Sequence, residues 1–189
     1  AVLARSAPLQ PVYRTDIQRL HRRVRHGGAL IELAYDRGHI IAGDKRVRVD
    51  EIEFELVRGP LAALPELAGR WAPRFGLWWD VRTKSERGFR LALGRTIVPP
   101  VMAAADNTAR GLSSVLAWQA QLRAALLHAL PNAAELASGT GTAGHGAQWC
   151  SALQHLCGLL GAAPAALPWH GQAQALGLAL AHQSQRLQA

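Results

Sequence analysis

Apolar and polar residues alternate over much of residues 12–58, which is the period of a β-strand. The pattern predicts four extended segments: Val12–Arg25, Ala29–Asp36, His39–Ala42 and Lys45–Arg58. Gly27-Gly28, Arg37-Gly38 and Gly43-Asp44 separate them, and glycine-containing pairs are typical of tight hairpin turns. We therefore expect an antiparallel sheet.

The last predicted strand separates charge from hydrophobicity. Side chains alternate along a strand, so Glu51, Glu53 and Glu55 share one face. The other face carries Ile52, Phe54 and Leu56. The same parity groups Glu32, Ala34 and Asp36 in one segment, and Arg19, His21, Arg23 and Arg25 in another. Acidic and basic rows are therefore expected on neighbouring strands.

The period changes to that of a helix after Gly59-Pro60. A helix from Leu61 to about Trp71 is predicted by five apolar residues at helical spacing: Leu61, Leu64, Leu67, Ala68 and Trp71. We expect it to cover the apolar face of the sheet. A short strand is predicted over Leu77–Val81, with Trp78 and Trp79 packing against this helix.

The second half of the chain is predicted to be helical. Leu112, Val115, Leu116, Gln119, Leu122, Leu126 and Leu130 predict an amphipathic helix over Thr108–Leu130. Ala133–Gly146, rich in Gly and Thr, predicts a mobile loop, and further helices are expected over Ala147–Leu160 and His170–Leu187. Trp149 and Trp169 are expected to pack in the core or between helices.

Pro99-Pro100 marks the segment Ile97–Asn107 as a linker. The predicted organisation is therefore a β-rich domain over residues 1–95, a linker over 96–107 and a helical domain over 108–189. The predicted fold class is α+β.

The composition fits a globular protein with an anionic partner. The 189 residues are 49% hydrophobic and 18% charged, with a net charge of +8. Beyond Arg110 the only charged residues are Arg123, Glu135 and Arg186, so the basic character belongs to the first half.

Cysteine usage and hydropathy favour a cytoplasmic protein without a membrane partner. On one helix Cys150 and Cys157 would lie about 10 Å apart, too far for a disulfide, so reduced thiols are expected. No apolar run approaches the roughly 20 residues of a membrane span, and the first residues lack a secretion signal. The chain opens on Ala rather than Met, which suggests an upstream segment.

Three carboxylates on one strand face repel one another unless cations lie over them. A solvated outer face is one interpretation of Glu51, Glu53 and Glu55. The basic row from Arg19 to Arg25, together with Lys84, instead favours a closed barrel interior. Such an interior suits a polyphosphate held through Mg²⁺ or Mn²⁺.

Four segments in order resemble the C-terminal half of the CYTH domain, over roughly residues 8–93. They are Thr15-Asp16-Ile17-Gln18-Arg19, Ile31-Glu32-Leu33-Ala34-Tyr35-Asp36-Arg37-Gly38, Glu51-Ile52-Glu53-Phe54-Glu55-Leu56 with Gly59, and Thr83-Lys84-Ser85-Glu86-Arg87-Gly88-Phe89. Each segment alone is a weak signal, whereas four in sequence are specific.

The resemblance implies a hydrolase of the triphosphate tunnel metalloenzyme superfamily, with an eight-stranded antiparallel barrel that cleaves a terminal phosphate. It implies that Glu51, Glu53 and Glu55 are the metal-binding and catalytic carboxylates. It implies substrate-binding roles for four residues, Arg19, Arg23, Asp36 and Lys84. Arg25 and Glu32 match the pattern without a defined role.

The family's Glu-x-Glu-x-Lys strand does not occur in this sequence. We therefore expect impaired activity for the chain alone, with the sheet closed either by a missing N-terminal half or by another copy of the chain. The helical tail resembles a degenerate CHAD domain. Cys150, Gln154, His155 and Cys157 stand at the expected arginine positions, which argues against polyphosphate binding by the tail.

The leading hypothesis is a metal-dependent triphosphatase acting on inorganic triphosphate. The alternative is a non-catalytic protein that binds polyphosphate or a nucleotide. A nucleic-acid partner is disfavoured because aromatic residues are not interleaved with the arginines. The spacing of His145, His155, His170 and His182 does not match a zinc site.

Overall fold

The computed structural model describes residues 10–94, 97–101 and 115–188. Within these ranges the chain is α+β, as predicted. The strands are β1 (Arg14–His26), β2 (Ala29–Ala42) and β3 (Lys45–Arg58). The helices are α1 (Ala63–Phe75), α2 (Lys84–Leu93), α3 (Val115–Ala137), α4 (Ala143–Gly161) and α5 (His170–Gln188).

Contacts within the chain define two compact units. Unit 1 comprises Ala1–Leu77 and Arg82–Thr96, and unit 2 comprises Trp78–Val81 and Ile97–Ala189. Most of the predicted linker, residues 102–107, lies outside the described residues, as does Leu112.

The three strands form one antiparallel sheet in the order β1-β2-β3. The predicted turns are present at Gly27-Gly28, where both glycines have positive φ, and at Gly43-Asp44. In the described part of the chain β1 and β3 each pair only with β2, so the sheet is open.

The predicted turn at Arg37-Gly38 is wrong, because β2 runs unbroken from Ala29 to Ala42. Gly38 pairs with Ile17 on one side and Val49 on the other. Its φ is 154°, and a Cβ atom at this position would lie 2.0 Å from the carbonyl oxygen of Asp16. The glycine therefore allows a close approach of two strands rather than a reversal of the chain.

The apolar face of the sheet is covered by α1, as predicted. Its core contains Ala29, Ile31 and Leu33 of β2, with Ala63 and Leu67 of α1. The predicted apolar residues of β3 pack against this cluster: Ile52, Phe54 and Leu56. The ring of Trp71 meets that of Phe54 edge-on, with centroids 5.8 Å apart.

The bounds predicted for this helix are wrong at both ends. Leu61 is exposed and precedes α1, whereas the helix continues past Trp71 to Phe75 and ends at Gly76 in the left-handed conformation. The predicted strand at Leu77–Val81 is also wrong, because this segment has no regular secondary structure. Trp78 and Trp79 are exposed, so the predicted packing role is not observed.

In unit 2 the predicted helices over Ala147–Leu160 and His170–Leu187 correspond to α4 and α5. Both cysteines are unpaired. Trp149 packs against the core, and the ring of Trp169 lies 5.5 Å from that of Trp118, as expected for core or interface residues.

The apolar stripe predicted for α3 is partly wrong. Leu116 is 77% exposed, and Leu126 is also exposed. Between Val115 and Leu130 the buried residues are Trp118, Ala125, His128 and Ala129. Small alanines allow α4 to pack closely, and the Trp118 indole donates a hydrogen bond to the Leu159 carbonyl oxygen at 2.7 Å.

The loop predicted over Ala133–Gly146 is reduced to a short connection, since α3 extends to Ala137 and α4 begins at Ala143. Buried Ala134 keeps the end of α3 packed. The Glu135 carbonyl oxygen accepts the Gly141 N–H at 2.8 Å, which closes the turn. No helix in the described ranges is both long enough and apolar enough to span a bilayer.

Replacing Gly38 with Ala should destabilise unit 1 by about 2–3 kcal/mol, because the new Cβ clashes with the Asp16 carbonyl and the φ value is unfavourable for other residues. Gly69→Ala is the matched control, because Gly69 lies within α1 with open space around it. This substitution should raise the free energy of unfolding by up to about 1 kcal/mol. Urea unfolding measures both changes. Equal stabilities for the two variants would contradict this account of the strand.

Candidate functional site

The face of the sheet opposite α1 carries three rows of charged and polar residues, and we call it the polar face. Cα pairing places these sets side by side across β1, β2 and β3: Arg19, Asp36 and Glu51; His21, Ala34 and Glu53; Arg23, Glu32 and Glu55. The parity predicted from the sequence is confirmed by this register.

Helix α2 contacts all three strands and brings Lys84 and Arg87 onto this face. Its N-cap is Thr83, whose hydroxyl accepts the Glu86 N–H at 3.0 Å. Gly88 is buried against the ring of Tyr13, a position where a Cβ atom would clash. The capped start and this close contact fix the helix on the sheet.

Lys84 is the centre of the site. Its ammonium nitrogen lies 2.8 Å from Asp36 Oδ2 and 2.7 Å from Glu53 Oε1, and it also contacts Glu51. The Lys84 side chain is only 18% exposed, so these carboxylates surround it more than water does.

Two arginines contact the same carboxylates as Lys84. The Arg19 guanidinium binds Asp36 through two hydrogen bonds of 2.6 Å and donates a third, of 2.8 Å, to Glu53. Arg87, for which no role was predicted, donates a hydrogen bond to Glu51. We call these six residues the ionic cluster: Arg19, Asp36, Glu51, Glu53, Lys84 and Arg87.

Burial makes Asp36 the most constrained member, since its side chain is 1% exposed. Hydrogen bonds from Arg19 and, to a smaller extent, from Lys84 lower the pKa of Asp36 to about 2, against the opposing effect of burial. Burial lowers the pKa of Lys84, but bonds to Asp36, Glu51 and Glu53 outweigh this and raise it. The pKa of Arg19 is raised by its bonds to Asp36. All three groups are therefore charged at neutral pH.

The remaining predicted residues lie outside the ionic cluster. Arg23 binds Glu32 at 3.0 Å near the same face, and both belong to the adjoining row. Glu55 is exposed and is not part of the cluster. Arg25 is exposed and lies two residues beyond Arg23 on β1, opposite Leu30.

The donor set fits a hard divalent cation. Asp36, Glu51 and Glu53 each offer a carboxylate oxygen, and these oxygens lie within 4.8 Å of one another. Glu51 and Glu53 belong to the predicted metal set, whereas the structure groups them with Asp36 rather than Glu55. The same oxygens contact Lys84, so an incoming metal ion would compete with its ammonium group.

Comparison with known proteins shows a partial similarity to a triphosphatase. No family model matches the chain. The chain is 34% identical over 86 residues to the inorganic triphosphatase of Haemophilus influenzae (strain ATCC 51907 / DSM 11121 / KW20 / Rd). The match covers 46% of this chain and 24% of the relative, so the chain spans about a quarter of that protein's length.

The stability of unit 1 should depend on pH through Asp36. Its pKa is near the usual 3.9 when unfolded and about 2 when folded, so its stabilising effect is complete above pH 5 and is lost as pH falls through 2. The loss should amount to about 2 kcal/mol.

Urea unfolding of the wild type and of Asp36→Asn at pH 5 and pH 2 tests this dependence. The variant cannot titrate at this position, so the stability gap between the two proteins should narrow by about 2 kcal/mol at pH 2. A gap that stays constant between these pH values would show that Asp36 is not the titrating group.

Proposed function

We propose that the polar face binds a triphosphate and, with a divalent metal ion, supports hydrolysis of its terminal phosphate. The observation that carries this proposal is the ionic cluster, in which three carboxylates and three cations interleave over three strands and one helix. The partial match to an inorganic triphosphatase supports inorganic triphosphate as the substrate.

The cations supply the phosphate-binding part of this function. Arg19 presents a planar guanidinium that can hold two phosphate oxygens, and Lys84 and Arg87 approach the same place from α2. Arg23 lies two rows from Arg19 along β1, where it could contact another phosphate of the triphosphate. A linear triphosphate spans several such positions.

The carboxylates supply the metal-binding part. Asp36, Glu51 and Glu53 would hold Mg²⁺ or Mn²⁺, and Glu55 belongs to the same face at the adjoining row. The metal ion would neutralise charge on the transferring phosphate. Glu55 is exposed, and its carboxylate could orient or deprotonate the attacking water.

We further propose that unit 1 is the C-terminal half of a CYTH-like tunnel domain and that the helices of unit 2 form a degenerate CHAD-like domain. The open sheet supports this proposal for unit 1, because its polar face is open to solvent on one side, where the Arg19 and Glu53 side chains are 50% and 48% exposed. In a closed tunnel, strands from an N-terminal half or from another copy would cover that side. Hydrolysis by the isolated chain should therefore be slow.

Phosphate release from inorganic triphosphate tests the proposal. Release should be slow, should require Mg²⁺ or Mn²⁺ and should stop on chelation. Glu53→Gln removes a carboxylate from the metal-binding set and should lower the rate by about a hundredfold. Glu66→Gln makes the same change on α1, on the opposite side of the sheet, and should leave the rate unchanged.

The same assay separates catalysis from binding alone. Triphosphate binding that weakens with salt, without phosphate release, would favour a non-catalytic polyphosphate- or nucleotide-binding protein. If the chain neither binds triphosphate nor releases phosphate from it, both the catalytic and the binding form of the proposal are contradicted.

A further inference from the structure

We infer that the ionic cluster makes metal binding and triphosphate binding depend on each other. The carboxylates that a metal ion needs and the cations that a phosphate needs are paired with one another in the cluster. The inference rests on the proposed function and specifies how its two ligands cooperate. Three carboxylates and three cations give the cluster a formal charge of zero. Its net charge therefore attracts neither a dication nor a polyanion.

Every member of the cluster has an opposite charge as partner. Each carboxylate contacts two cations: Asp36 contacts Arg19 and Lys84, Glu51 contacts Lys84 and Arg87, and Glu53 contacts Arg19 and Lys84. A divalent ion needs the oxygens that these cations hold. A phosphate needs the N–H groups that these carboxylates hold.

The arrival of both ligands resolves this conflict by an exchange of partners. The carboxylates turn to the metal ion, and Arg19, Lys84 and Arg87 turn to phosphate oxygens. A metal ion alone would leave three cations beside a dication, and an anion alone would leave three carboxylates beside a polyanion. Because Asp36 is buried and Lys84 is mostly buried, leaving either charge unpaired is costly. Each ligand should therefore raise the affinity of the other, and by the same factor.

Lys84 is the residue on which this dependence rests. Of the three cations in the cluster, Lys84 is the one that contacts all three carboxylates. Lys84→Met keeps the length of the side chain and removes its charge, which leaves the cluster with a net charge of −1. A divalent ion could then reach the carboxylate oxygens without a triphosphate.

Electron paramagnetic resonance of free Mn²⁺ measures this effect without turnover. In the absence of any phosphate compound, Lys84→Met should bind Mn²⁺ at least about tenfold more tightly than the wild type. Lys45→Met removes the same charge at the exposed start of β3, outside the cluster, and should bind as the wild type does. Equal Mn²⁺ affinity for the wild type and Lys84→Met would overturn the inference.

Circular dichroism establishes that the variants are folded. If Lys84→Met unfolds, Lys84→Gln provides the same test, because its amide keeps a hydrogen-bond donor for buried Asp36 while removing the charge. The expected increase in Mn²⁺ affinity is again about tenfold.

Equilibrium dialysis of inorganic triphosphate with the wild-type chain provides the second measurement. Binding should be at least about tenfold tighter with Mn²⁺ than without it. Equal affinity in the two conditions would overturn the inference and leave the proposed function intact. No triphosphate binding in either condition would overturn both.

Discussion

The buried carboxylate of Asp36 connects the parts of unit 1 that make up the candidate site. Its side chain is almost completely enclosed, and its partners come from two other elements, Arg19 on β1 and Lys84 on α2. Removing one partner of a buried ion pair typically costs about 3–5 kcal/mol, because it leaves a charge without compensation. The interactions that join α2 to the sheet are thus the same ones that position the cations and carboxylates.

The two faces of the sheet are covered in different ways. On one face, α1 buries an apolar core around Ile31 and Leu33. On the polar face, α2 is held by charge, and Ile40 and Val49 are fully buried further along the same face. The α1 side of the sheet is therefore held by apolar packing, whereas the polar face combines buried apolar residues with charged groups fixed beside a surface that a ligand can reach.

Strand parity made part of this site predictable. One polar face is identified by glutamates at alternate positions of β3 from Glu51 to Glu55 and by basic residues at alternate positions of β1 from Arg19 to Arg25, and the register confirms it. The turn predicted at Gly38 was wrong because the sequence does not distinguish a glycine that permits close approach of two strands from a glycine in a turn. On α3, Leu116 and Leu126 of the predicted stripe are exposed, since small alanines and Trp118 provide the buried contacts.

Sequence reasoning did not find Arg87 or the helix that carries it. The Thr83-x-x-Glu86 pattern is a helix-start signal and could have identified α2. Asp36 rather than Glu55 joins Glu51 and Glu53 because the register pairs Asp36 with Glu51, and Lys84 of α2 contacts all three carboxylates. Strand register and helix packing are contacts between elements, which no local pattern encodes.

Backbone amide shifts in the nuclear magnetic resonance spectrum, recorded during titration with inorganic triphosphate and Mg²⁺, test the central claim most directly. The account predicts that the largest changes cluster around Arg19, Asp36 and Glu51 and along the first turns of α2. Changes confined to α1 and the opposite face of the sheet, or no changes at saturating triphosphate, would contradict it.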